Sequence, residues 1–185
     1  MSGNKIFACD THSTLTPDGD KFTWATKVHQ GSQVIQSFEL TPVLPVPGQP
    51  AKYWPLIDPC RSSSPAPHYI SNVVIEFSKN SSEAERLHER AVLIVNIKQL
   101  LGDTGVWRFV QNGVQVNHVQ ADDSDVGVEI SDDGKTLVAY IHVYEGSATP
   151  AQSINFGFVA AYTDESGEVK TYESSDPTVS PVRPK

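Results

Sequence analysis

Residues 136–144 read TLVAYIHVY and alternate strictly. Leu137, Ala139, Ile141 and Val143 share one face, and Val138, Tyr140, His142 and Tyr144 share the other. A period of two is that of a β-strand, because successive side chains on an extended backbone point to opposite sides. The pattern recurs. Residues 153–163 place Ile154, Phe156, Phe158, Ala160 and Tyr162 together, residues 22–29 group Phe22, Trp24 and Val28, and residues 33–40 group Val34, Phe38 and Leu40. Residues 69–77 do the same with Val73, Ile75 and Phe77, while residues 91–97 (AVLIVNI) are apolar on both faces, as in a central strand. The side-chain inventory agrees: 21 Val and 10 Ile stand against 9 Leu and one Met. β-Branched side chains suit a pleated surface, whereas Leu and Met usually fill helix faces. The chain is predicted to be all-β.

The turns are legible too. Asn112-Gly113 lies between VWRFVQ and VQVNHV, a strong hairpin signal because both positions tolerate positive φ. Gly31-Ser32 separates the two early strands. Residues 131–134 (SDDG) and 164–167 (DESG) separate later ones. Short strands joined by such turns predict an antiparallel β-sandwich, immunoglobulin-like or a related Greek key. Helix signal is thin: Ser82-Glu83-Ala84-Glu85 is a capping box with Ser82 as N-cap and Glu85 at N3, with room for two turns at most, and residues 97–102 are a second brief candidate.

Eight of the 13 prolines fall between Pro42 and Pro67. Proline donates no ladder hydrogen bond and forces its predecessor towards extended backbone, so residues 41–68 are expected to form a long loop without regular structure. One reading makes it a crossover with Trp54, Leu56 and Ile57 tucked onto the domain. The other makes it a polyproline ligand through Pro42-Val-Leu-Pro45 and Pro47-Gly-Gln-Pro50. Two strands alone hardly fold, so the early strands are expected to join the later sheet. Residues 1–185 are thus read as a single β-sandwich domain with an extended C-terminal tail over 174–185.

The formal net charge is −8, which argues against nucleic acid and anionic membranes as partners. Residues 1–120 carry ten acids and ten bases, whereas residues 121–185 carry twelve acids and four bases. No apolar run reaches membrane-spanning length, and residues 1–10 show no signal-peptide core, so a cytoplasmic location is expected. Two cysteines are too few for a disulfide framework. Cys9 and Cys60 are read as ordinary buried or half-buried thiols, a disulfide being possible only in an oxidising compartment.

No catalytic constellation emerges. Nucleophile elbow, phosphate loop, dinucleotide fingerprint and CxxC pair are all missing from the sequence. No histidine pair has strand or helix ligand spacing, so no metal or other cofactor is expected. The acids at 122–125 and 132–133 offer oxygen ligands but not the EF-hand register, and read more simply as solvated turns. The aromatic face Tyr140, His142 and Tyr144, together with Trp54, is the candidate ligand-binding set. The competing reading has that face covered, either by a second core layer or by the proline segment.

The last third carries residues that resemble a known family: Asp133-Gly134-Lys135-Thr136-Leu137, then Phe156-Gly157-Phe158, then Asp176-Pro177. This order is similar to that of the bacterial DP-EP family, and the resemblance covers the C-terminal half, from about Ala91. It implies a small β-sandwich of unassigned activity and transfers no catalytic residue. Gly157 between two Phe residues also predicts a bulge or a close backbone approach. The functional expectation is a non-enzymatic protein that acts by binding or self-assembly, with a protein partner (itself or another). The alternative is a carbohydrate-binding or carbohydrate-active domain using the aromatic face.

Overall fold

The computed structural model describes residues 7–49, 53–61, 66–116, 124–144 and 155–184. Twelve strands run in chain order: β1 (Thr14–Asp18), β2 (Lys21–Val28), β3 (Gln33–Leu40), β4 (Leu56–Ile57), β5 (Ile70–Phe77), β6 (Arg90–Ile97), β7 (Val106–Val116), β8 (Ser124–Ile130), β9 (Thr136–Val143), β10 (Phe156–Thr163), β11 (Val169–Glu173) and β12 (Thr178–Val182). One short helix, α1 (Glu83–Arg86), precedes β6, and its capping box forms as expected, with the Ser82 hydroxyl accepting from Glu85 N and Ser82 N donating to the Glu85 carboxylate.

The all-β class holds, but the sheet is mixed and rolls into a nearly closed barrel. The antiparallel sandwich was expected because each turn was read as a hairpin. The strand order is β11-β10-β12-β5-β4-β3-β6-β9-β8, with β2 on β5, β1 on β2 and β7 on β10. The β2–β3 turn at Gly31-Ser32 reverses the chain without pairing the two strands. Instead β2 lies parallel to β5, and β3 lies parallel to β6. The arch β2–β3 and the arch β5–α1–β6 run side by side, each sending one strand to each wall, and that makes their pairings parallel. The turns at 131–134 and 164–167 do form hairpins, β8–β9 and β10–β11.

Asn112-Gly113 proves to be a bulge within β7. Gln111 and Gly113 take the positive φ values, 56° and 68°, and the chain then continues along the same partner. Phe158 faces Val114 while Ala160 faces Phe109, so the extra β7 residues are looped out between them. A Cβ on Gly113 would collide with Leu137. Gly157 makes the predicted close approach, since a Cβ there would lie 3.1 Å from Ser174 Oγ.

Two expected loops contain strands. Residues 174–185 hold β12, which runs parallel to β5 and meets β10 at Val179, with Val179 and Arg183 buried. In the proline crossover, β4 pairs with β3 and touches β5. Pro42 is buried, which removes the first PxxP motif as a free ligand; Pro50 of the second lies outside the described residues. Trp54 is 1% exposed and packs edge-on against Trp107 at 5.6 Å, and its indole N–H donates to Val43 O. It is a core residue and presents no ring to a ligand.

The crossover is bolted to the barrel by Asp58, which is buried. Its carboxylate accepts from Trp24 Nε1, Gln36 Nε2 and Cys60 N and pairs with Arg61. Beside it, Ser37 N donates to Ala8 O and Asp10 N donates to Gln36 Oε1, which lays the N-terminal segment along the edge of β3. Cys9 and Cys60 close this junction as a disulfide, and both are exposed. The reading as separate, buried thiols is therefore corrected: 50 intervening residues hid their proximity.

Candidate functional site

Alternation along β9 turns Leu137, Ala139, Ile141 and Val143 into the core and Val138, Tyr140, His142 and Tyr144 outward, the outer set half-buried. The register of the neighbouring strands then fixes what stands beside each outer residue. Val92 of β6 lies opposite Tyr140, Ile35 of β3 opposite Val92, and Gly127 of β8 on the other side of Tyr140. The next row is Ser37, Ile94, Val138 and Glu129. On the other side, Gln33 faces Arg90, Asp125 faces His142, and the pairing of Ala91 with Ile141 brings Arg90 beside His142.

The outer wall β3-β6-β9-β8 thus presents an apolar strip flanked by a polar row. Ile35 is 44% exposed, while Val92, which belongs to no core layer, is only 9% exposed between its neighbours. The Tyr140 hydroxyl donates to Glu129 Oε2 at 3.3 Å, alongside the bare backbone of Gly127. The rings of His142 and Tyr144 stack at 5.8 Å, 13° from parallel.

The polar row has unmet capacity. Arg90 Nε and His142 Nδ1 are buried and lack hydrogen-bond partners. Burial, and then the charge of Arg90, lower the His142 pKa below the ordinary histidine value, against smaller opposing effects of Asp125 and a backbone hydrogen bond to Glu89. The imidazole is therefore neutral at pH 7.

Tyr140, His142 and Tyr144 come together as the sequence placed them, and Trp54 does not join them. Sequence reading missed Gln33, Arg90, Asp125 and Glu129. Asp125-x-Gly127-x-Glu129 does show strand alternation, but nothing local says which strand lies beside it.

The acids of the turns act as clamps. Asp133 accepts from the Ser131 hydroxyl and Lys135 N, and Asp164 from Ser166 and Glu168 N, which holds both carboxyls below their usual pKa. Asp122 and Asp123 lie outside the described residues. Among the described residues, no three His, Cys, Asp or Glu side chains stand where they could share a metal ion. An open depression of about 540 Å³ beside the disulfide is lined by Leu15, Pro17, Phe22, Cys60, Arg61 and His68. Its polar groups are already engaged: Arg61 with Asp58 and Ser13, and His68 against the Phe22 ring.

The family model described as DP-EP family matches residues 11–183. The chain belongs to the DP-EP family. The match includes the N-terminal arches, so membership extends well beyond the C-terminal half that carried the resemblance. No curated protein and no solved structure matches this DP-EP chain. Among its described residues, no helix is long and apolar enough to cross a membrane.

Proposed function

We propose that this DP-EP protein is a non-enzymatic binding protein whose contact surface is the outer wall β3-β6-β9-β8. The observation that carries the reading is the contiguous outward strip Ile35, Val92, Tyr140, Ile94 and Val138, bordered by polar atoms without partners. A solvated sheet face is ordinarily polar, so an apolar strip with a polar rim favours a contact surface. Arg90, His142, Asp125 and Glu129 lie along an open sheet rather than converging in a water-excluding cleft, which favours binding over catalysis.

Self-assembly through the edge of β8 that no described strand pairs is disfavoured. Antiparallel pairing of two copies about Gly127 sets Asp125 of each against Glu129 of the other, and like charges directly opposite are destabilising. The exposed Cys9–Cys60 disulfide favours a compartment that keeps thiols oxidised, rather than the cytoplasm expected from the sequence.

The test compares the wild type with an Ile35→Lys, Val138→Lys double variant on parallel peptide and glycan arrays. The reading expects at least one ligand class retained by the wild type and lost by the variant at unchanged Tm. Equal retention by both proteins refutes this face as the contact surface.

A further inference from the structure

We infer that the occupant of this face is a neutral saccharide, with a hydroxyl seated between Arg90 and His142 and a sugar ring lying on the aromatic strip. The inference rests on the binding reading above and adds the ligand class.

Two side chains facing each other across β6 and β9 carry unmet polar atoms. Arg90 Nε is always a donor, and no acceptor meets it. Nδ1 of His142 likewise has no partner, and a ring nitrogen donates or accepts according to its tautomer. An unmet guanidinium donor on β6 and an unmet ring nitrogen on the facing β9 match a group that can both accept and donate, which is a hydroxyl. An ammonium offers no lone pair to Arg90. Both atoms are shielded in this conformation, so the hydroxyl reaches them through a rotamer change of the half-buried Arg90 chain.

The surroundings select further. Gln33 and Asp125 extend the same row on either side, and Glu129 stands at the Tyr140 hydroxyl. A row of such groups suits a ligand with several hydroxyls in succession, which a single Ser or Thr of a peptide does not supply. Tyr140 and the stacked His142–Tyr144 pair offer flat apolar area to the C–H face of a pyranose ring. The exposed carboxylates Asp125 and Glu129 accept from sugar hydroxyls and repel anionic sugars, hence a neutral one.

The experiment titrates the full-length protein calorimetrically with short neutral hexose oligosaccharides, with polyuronate fragments and Ser/Thr-rich peptides as comparators. Neutral oligosaccharides are expected to bind. Tyr140→Ala and Arg90→Lys should each weaken them about tenfold, and Tyr140→Phe should weaken them less, with Tm unchanged throughout. Preference for polyuronates, or neutral-sugar affinity indifferent to Tyr140→Ala and Arg90→Lys, overturns the inference. Peptide binding that the double variant above abolishes, with no sugar bound, overturns the saccharide assignment and leaves the binding surface standing. If nothing binds, both readings fall.

Discussion

Arg183 Nη2 donates to Glu89 Oε2 at 2.5 Å, and both side chains are at most 1% exposed. The partners are 94 residues apart, so the contact ties the last strand to the start of β6. Every donor group finds an acceptor: Nε and Nη2 reach Val143 O, and Nη1 reaches Ser78 O. Burial pushes the Glu89 carboxyl up, but the Ser81 hydroxyl, Arg183 and Gly31 N–H together hold it below its usual pKa. A buried pair this fully hydrogen-bonded is costly to break by removing one member, because the other charge stays buried.

Arg183→Ala is therefore expected to destabilise the protein by about 3–5 kcal/mol in urea unfolding, at unchanged m-value. A loss below about 1 kcal/mol would show that the tail is not held by this pair.

The Cys9–Cys60 bridge closes a separation of 51 residues. Loop-closure entropy predicts that Cys9→Ser with Cys60→Ser, or reduction of the wild type, costs up to about 4 kcal/mol. Scanning calorimetry with and without dithiothreitol measures it, and the double Ser variant should be insensitive to the reductant.

Trp54 is buried in the barrel against Trp107. Trp54→Ala should cost about 3–5 kcal/mol of stability through the cavity it leaves. Trp54→Phe, a milder change, should stay folded and bind any ligand of the outer wall as the wild type does. Selective loss of binding in a folded Trp54→Phe protein would reverse this assignment.

His142 gives a pH signature. Its folded pKa lies below the unfolded value near 6.5, so between the two the unfolded chain binds more protons and stability falls as pH drops. Facing it are Arg90 from β6, Asp125 from β8, and Tyr144 of its own strand segment, with the Glu89 carbonyl behind. The Tm difference between pH 7.5 and pH 5.5 should be smaller for His142→Gln than for the wild type. A Tm difference equal in both proteins would show that His142 titrates normally.

Much of the candidate face was legible, because Tyr140, His142 and Tyr144 share it through the period of one strand alone. Arg90 was not, since it reaches His142 only through the antiparallel register of β6 with β9. Trp54 was ambiguous for a related reason: its proline-rich context indicates irregular backbone but not which side of the chain is covered. Gly113 does take positive φ, but the second such residue is Gln111 rather than Asn112, and a glycine at positive φ serves a hairpin or a bulge alike. Only the partner β10, continuing on both sides of it, decides for the bulge.

From sequence alone came most of the strands, though not β1, β4 or β12, the two faces of the alternating ones, the capping box at Ser82 and the places where the chain reverses. These depend on side chains within a few residues of one another, where backbone period and local hydrogen bonds rule. The parallel arches, the β12 insertion, the Cys9–Cys60 bridge, the Arg183–Glu89 pair and the Arg90–His142 row were decided by the tertiary structure. Each joins segments far apart in the chain, and what selects among such pairings is the burial of one shared core, which no local stretch of sequence encodes.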